Sequence, residues 1–202
     1  MIEPPPTKPH EPIWRLAMRY PNQGHWTAGE YLRLDDVGRV EFVEGHLEFL
    51  QEPTVRHQLI QTFLLFLLRQ ALAGTIGRVM AAPVRVATTD DHYREPDVVV
   101  ILDATRLDAA SLYVPAPDLA IEIVSPNDRD RDYKTKRGEY AAAGVREYWI
   151  IDPERESITM LSLDRDAYRE IGTFDGDSAA TSRLIPEFST TANDVFAAGN
   201  GK

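Results

Sequence analysis

Cysteine is absent from the 202-residue chain, which excludes disulfide scaffolds, zinc–thiolate sites and cysteine nucleophiles. Any metal site must then use oxygen or imidazole ligands, the chemistry of Mg²⁺, Mn²⁺ or Ca²⁺. No apolar run is longer than Phe63–Leu68, far short of the roughly 20 residues of a membrane span. Basic charge is also scarce: 22 Lys and Arg stand against 32 Asp and Glu, a formal net charge of −10. That balance argues against a protein that coats nucleic acid indiscriminately. It leaves room for an enzyme with a local basic groove and a carboxylate-rich metal site.

What is present is ordinary for a globular chain. Hydrophobic residues make up 43% and charged residues 27%, which excludes a wholly disordered or collagen-like protein. The length favours one domain, with two small ones as the alternative. Five prolines among the first twelve residues make residues 1–20 an extended or disordered arm, followed by one domain over 21–202. The start Met1-Ile2-Glu3-Pro4 has neither the basic beginning nor the apolar stretch of a signal peptide, so a cytoplasmic protein with no membrane partner is expected.

Thr27-Ala28-Gly29-Glu30 reads as a capping box opening a short helix through Leu34. Val40–Val43 and His46–Leu50 read as a hairpin about the Glu44-Gly45 turn. A long helix over Thr54–Ala73 carries apolar residues at three-four spacing, from Leu59 and Ile60 to Leu67 and Leu68. Strands follow at Arg78–Thr88, Asp97–Leu102 and Leu119–Val124, then a helix over Asp130–Ala143 closed by Gly144. Val145–Ile151 and Ser157–Leu163 add two strands, and the tail gives one or two strands and a short helix near Asn193–Ala198. The pattern is an α/β or α+β fold, a mixed sheet flanked by helices.

Three acids and one lysine stand out. Asp97 opens the apolar strand Val98–Ile101, where it either faces a ligand at the sheet end or only starts the strand in a turn. Glu122 sits inside Leu119-Ala120-Ile121-Glu122-Ile123-Val124, apolar on both alternation faces. A buried carboxylate needs a cation, hydrogen bonds or a proton; the structural alternative is a salt bridge to a core arginine. Lys136 shares a helix face with Asp132 and Tyr140, while Lys134 points away. Folding back after Ser125-Pro126-Asn127, this helix can aim Lys136 at Glu122, or leave it as a solvated lysine paired with Asp132. Glu41 lies on a strand face open to burial. His57 opens the long helix, where a capping or surface role is the simpler expectation. Arg129, Arg131, Lys134 and Arg137 cluster about Lys136, either to grip a phosphate backbone or to alternate with acids on a solvated helix start.

Two carboxylates can hold a hard divalent cation, and a lysine can orient water or steady negative charge. The segments Val40–Leu47, Glu95–Val100, Pro117–Pro126 and Gly144–Pro153 resemble, in order, those of the Uma2 family. These are restriction-endonuclease-like proteins with the PD-(D/E)xK nuclease fold. The resemblance implies that Asp97 and Glu122 are the two metal-binding acids, joined by the Ile123 carbonyl. The usual lysine position, two residues after the glutamate, is Val124 here, and Lys136 on the next helix matches the family's lysine. Glu41 matches an acid of the early strand that assists the site. The implied activity is Mg²⁺- or Mn²⁺-dependent hydrolysis of phosphodiesters in DNA; a homodimer is expected separately, since cutting both strands needs two sites and two-fold dimers are the commonest oligomers. Two alternatives stay open: a catalytically inactive nuclease-fold module that binds nucleic acid or assembles, and a structural protein whose acids serve salt bridges.

Overall fold

A strand that is apolar on both faces needs cover on both sides. Three such strands form the centre of the protein, whose computed structural model describes residues 23–34, 38–126 and 129–201. The expected proline-rich arm, residues 1–20, lies outside the described residues.

The chain opens with α1 (Ala28–Leu32), and the Thr27–Glu30 capping box is formed. A hairpin of β1 (Val40–Val43) and β2 (His46–Phe49) follows. Next comes α2 (Val55–Ala71), capped by the Thr54 side chain accepting from the His57 N–H. Then come β3 (Arg78–Ala81), β4 (Val86–Thr89), β5 (His92–Arg94), β6 (Val98–Ile101) and β7 (Leu119–Ile123). A π-helical turn at Arg131–Thr135 leads into α3 (Lys136–Ala142). The remainder is β8 (Glu147–Asp152), β9 (Ser157–Asp164), β10 (Ala167–Asp175), β11 (Ala179–Thr181), β12 (Ser189–Thr191) and α4 (Ala192–Gly199).

Six strands form the main sheet in the order β10-β9-β8-β7-β6-β3, antiparallel except for the β7–β8 pair. Every residue of β6, β7 and β8 is buried. On one face lie α2 and α4, burying Ile60, Leu64, Leu68, Val195 and Phe196 against Leu119, Ile121, Ile123 and Trp149. Gly199 is needed there, because a Cβ would stand 2.7 Å from Ile60 Cγ1. On the other face α3 covers Ala120, Val124, Tyr148 and Ile150 with Tyr140 and Ala141. A smaller sheet, β2-β1-β5-β4, has its own core of Tyr31, Val40, Phe42, Leu47 and Tyr93.

The mixed sheet flanked by helices is as expected, with differences in detail, among them the unexpected strand β5. The strand expected over Arg78–Thr88 is broken: β3 pairs with β6 in the main sheet and β4 with β5 in the small one. Pro83 lies at the break, and with no N–H to donate it cannot continue a ladder. The tail holds three strands rather than one or two, because β10 extends the sheet beside β9 and β11 pairs with β12. No helix among the described residues is long and apolar enough to cross a membrane.

Candidate active site

Alternation along β7 sends Leu119, Ile121 and Ile123 toward α2 and Glu122 toward α3. Glu122 is 3% exposed. Its Oε1 accepts from the Tyr140 hydroxyl at 2.7 Å and lies 2.9 Å from Lys136 Nζ. The partner is therefore the predicted lysine and not a core arginine. Lys136 is 5% exposed, with Asp132 Oδ1 at 3.3 Å and Glu41 Oε1 at 3.7 Å. Asp132, Lys136 and Tyr140 share one helix face as their spacing predicts, whereas Lys134 is exposed and pairs with Asp130. The helix reaches this face through the π turn, in which the Lys136 N–H bonds back to the Arg131 carbonyl. Such single wide turns are rare and collect at functional sites.

Asp97 stands at the mouth of β6, beside β7. Its Oδ2 accepts from the Ile123 N–H at 2.8 Å and lies 3.2 Å from His57 Nε2, while Arg39 Nη2 is 3.5 Å from Oδ1. Gln61, one helical turn after His57, donates to the Asp97 carbonyl at 2.7 Å. An extended residue turns its N–H and C=O to the same edge, so the Ile123 carbonyl is also directed to the Asp97 side.

Glu41 comes from the small sheet, on the face opposite Val40 and Phe42. Its Oε1 accepts from the Glu95 N–H at 3.0 Å; its Oε2 accepts from Arg94 at 2.8 Å and from Arg131. Arg94 and Arg131 also meet Glu48 at 2.5 and 2.6 Å, and Arg94 is held by both oxygens of Glu139.

These charges set one another's proton affinities. Burial pushes Glu122 up to about 8, against the pull of Lys136, with Asp132, Asp97 and Glu41 adding to the rise. Burial alone would lower Lys136, but Glu122, Glu41 and Asp132 outweigh it and hold the ammonium protonated. Burial would likewise raise Glu41, yet Lys136, Arg131 and Arg94 bring it down to about 2. Asp97 is lowered despite burial, chiefly through His57 and Arg39. Burial raises Asp132.

Asp97, Glu122, Ile123, Asp132, Arg131 and Lys136 line one cavity of about 30 Å³, room for a water or a bare cation. Among the described residues no three His, Asp or Glu side chains converge as a closed metal cage. A cage is not what Mg²⁺ requires: it takes one or two carboxylates and keeps its other positions for water and substrate oxygens. The donors here are hard oxygens, and a buried carboxyl held above its usual range is one that a cation would return to the charged form. The residues fit a hard divalent cation.

All four expected side chains, Glu41, Asp97, Glu122 and Lys136, are thus brought together. His57 differs from its expected capping or surface role: its ring is buried against Asp97. Sequence reading also passed over Arg39, Glu48, Gln61, Arg94 and Glu139. Only the four-residue spacing of His57 and Gln61 could have signalled a shared face. Of the expected basic cluster, Arg131 alone lines the cavity. Arg129 pairs with Asp152 and Glu154, and Arg137 donates to the Tyr168 carbonyl. Asn127 and Asp128 lie outside the described residues.

A family model named Uma2, with the description "Putative restriction endonuclease", matches residues 28–193. No curated protein matches the chain. Among solved structures, the chain is similar to a protein of Anabaena variabilis ATCC 29413 described as "a putative nuclease belonging to DUF820". The two are 21% identical; the likeness covers 86% of this chain and 98% of that one, with a TM-score of 0.73. At that identity the likeness shows the fold, which is restriction-endonuclease-like.

Proposed function

The chain belongs to the Uma2 family, and from that premise we propose that it is a divalent-metal-dependent endonuclease hydrolysing phosphodiester bonds in DNA. The observation that carries the reading is the meeting of Lys136 with Glu122, at 2.9 Å, in the cavity that Asp97 also lines. Structural acids need no such opening.

Asp97, Glu122 and the Ile123 carbonyl would hold Mg²⁺ or Mn²⁺. When bound, such an ion polarises a phosphodiester and lowers the pKa of an attacking water. Lys136 places a fixed positive charge where the phosphoryl oxygens gain negative charge, and it orients the water. Glu41 is a positioning residue: it holds Lys136 and Arg131 so that their cationic ends stay at the cavity. Arg131 is the group placed to meet a substrate phosphate. The protein would act in the cytoplasm as a homodimer, since cutting both strands takes two sites; sedimentation at working concentration is expected to show the dimer.

The test is cleavage of supercoiled and single-stranded DNA with Mg²⁺ or Mn²⁺, alongside melting temperature. Wild type is expected to cut only with metal. Glu122→Gln and Asp97→Asn are expected to lose roughly 10³-fold in rate. Metal should raise the wild-type melting temperature by mass action and leave Glu122→Gln unmoved. Cleavage that survives both substitutions overturns the mechanism. Tight metal-independent DNA binding without cleavage replaces it with the inactive-module reading.

A further inference from the structure

Helix α2 is apolar on two opposite sides. At about 100° per residue, Ile60, Leu64 and Leu68 fall on one side, where they are fully buried in the core. Val55, Leu59, Thr62 and Phe66 fall on the other, within about 60° of arc. No described residue covers this second stripe: Val55 is 77%, Leu59 38% and Phe66 57% exposed. Single exposed apolar side chains are ordinary, whereas a contiguous row of them marks a docking surface. A helix with apolar residues on both sides is built to be covered on both.

The spacing of the row selects the shape of the partner. Steps of four, three and four residues are those of a seam that packs against a second helix. Thr62, small and near the middle of α2, leaves room for that helix to come close.

Charge commits the partner to a second copy of this chain. Each copy carries −10, so two copies repel wherever their acids face each other. Residues 53–89 contain no Asp or Glu, and on this face two copies can approach. The two ends of α2 are unlike. At the start Glu52 is exposed, and Glu156, 64% exposed, lies 3.2 Å from Arg56. At the finish Arg69 is exposed and makes no ion pair with any described residue. Antiparallel pairing about a two-fold axis sets each acidic end beside the partner's basic end and opposes the helix dipoles. Parallel pairing would set like on like. The other classes of partner fit less well: a phosphate backbone needs cations along the row, which has none, and anionic lipid repels a chain of this charge.

The same helix carries His57 and Gln61, which hold Asp97. The outer face of α2 and the cavity at Asp97 therefore share one rigid element.

We propose that the outer face of α2 is a two-fold interface between two copies of this chain, with the helices antiparallel and Thr62 near the axis. The inference rests on the nuclease reading for its use, since two sites joined in this way would cut both strands, but the interface is measurable without DNA or metal.

The test is sedimentation of the full chain from about 1 to 100 μM. Wild type is expected to be dimeric at the upper end. Phe66→Glu should weaken the dimer at least tenfold with a melting temperature within a few degrees of wild type, because the side chain is exposed. Leu112→Glu, at an exposed apolar residue away from α2, should leave the dimer unaltered. Because the chain has no cysteine, Thr62→Cys supplies one thiol per copy; mild oxidation is expected to join two copies covalently. Ser178→Cys, exposed on another face, should not be joined. A dimer of unchanged strength in Phe66→Glu overturns the interface, as does a Thr62→Cys protein that oxidation leaves unjoined. A wild type that is monomeric at about 100 μM overturns it too, and gives the stripe to another occupant. On supercoiled DNA with Mg²⁺, Phe66→Glu is expected to nick as wild type does but to lose the direct linear product. Metal-dependent cleavage with the dimer intact in Phe66→Glu removes the interface and keeps the nuclease. Loss of the dimer in Phe66→Glu, in a protein whose wild type never cuts, keeps the interface and removes the nuclease.

Discussion

Two glutamates are buried in neighbouring parallel strands of the main sheet, and they are treated in opposite ways. Glu147 on β8 is 0% exposed and is satisfied entirely by neutral donors. These are the Trp149 indole at 3.0 Å, the Ser182 hydroxyl at 2.8 Å, and the Arg183 and Leu184 backbone N–H groups at 2.7 and 3.0 Å. Glu122 on β7 has a lysine, a tyrosine and an opening. The first carboxylate ties β8 to the segment before β12 and offers nothing to a ligand. The second keeps a charge in a place where a cation or a phosphate can answer it. Burial of an acid is common to both, so burial is not the sign of function; the company is.

The largest expected effect separates the two in stability. Glu147→Leu strands the Trp149 and Ser182 donors in the interior, at about 1–3 kcal/mol for each group not rescued by water, and frees the Arg183 N–H, while the Leu184 N–H keeps Ser182 Oγ at 3.1 Å. We expect a loss of about 3–5 kcal/mol by urea unfolding, with activity falling only as the folded fraction falls. Glu122→Gln keeps both hydrogen-bond partners and removes a charge that burial disfavours, so its melting temperature should stay within a few degrees of wild type. A folded Glu147→Leu protein that is inactive would break the division.

Next comes the acid limb of stability, which belongs to the Glu41 cluster. Burial would raise Glu41, and Lys136, Arg131 and Arg94 instead hold it at about 2, below its ordinary 4.5. An acid lowered by folding stabilises fully above its unfolded value and loses that contribution as pH falls toward the folded one. Stability on the order of 3 kcal/mol should therefore disappear between about pH 4.5 and 2. In Glu41→Gln that slope flattens, as read from denaturant midpoints against pH.

A smaller effect sharpens the role of Tyr140. Tyr140→Phe removes the 2.7 Å bond to Glu122 and should cost about 1 kcal/mol of stability and several-fold in cleavage. The smallest contrasts two lysines on one helix. Lys134→Ala breaks an exposed pair with Asp130 and should change stability by less than about 0.5 kcal/mol, with cleavage unaltered. Lys136→Met should lose at least about 10²-fold in rate. Equal rates for the two variants would remove Lys136 from the mechanism.

Much of the site was legible because its clues are local. The apolar alternation around Glu122 gave its face, and four-residue spacing joined Asp132, Lys136 and Tyr140. Pro96-Asp97 before four apolar residues marked the strand mouth. The Glu147-Tyr148-Trp149 block supports the family resemblance, and its glutamate serves a clamp whose partners lie 35–37 residues away. The burial of His57 has no such local clue, since its partner Asp97 is 40 residues distant.

The sequence by itself determined the elements, the face each acid or lysine would take, and the exclusion of thiolate chemistry, because periodicity and composition are properties of short stretches. Only the tertiary structure decided which carboxylate keeps an opening and which is sealed. It also decided that Arg94 and Arg131 bind Glu41, and that Glu95 is buried between Arg39 and Arg85. Those outcomes depend on segments 35–90 residues apart meeting within hydrogen-bond distance. Packing of the two larger sheets and the helices against them sets that meeting, and no window of sequence contains it.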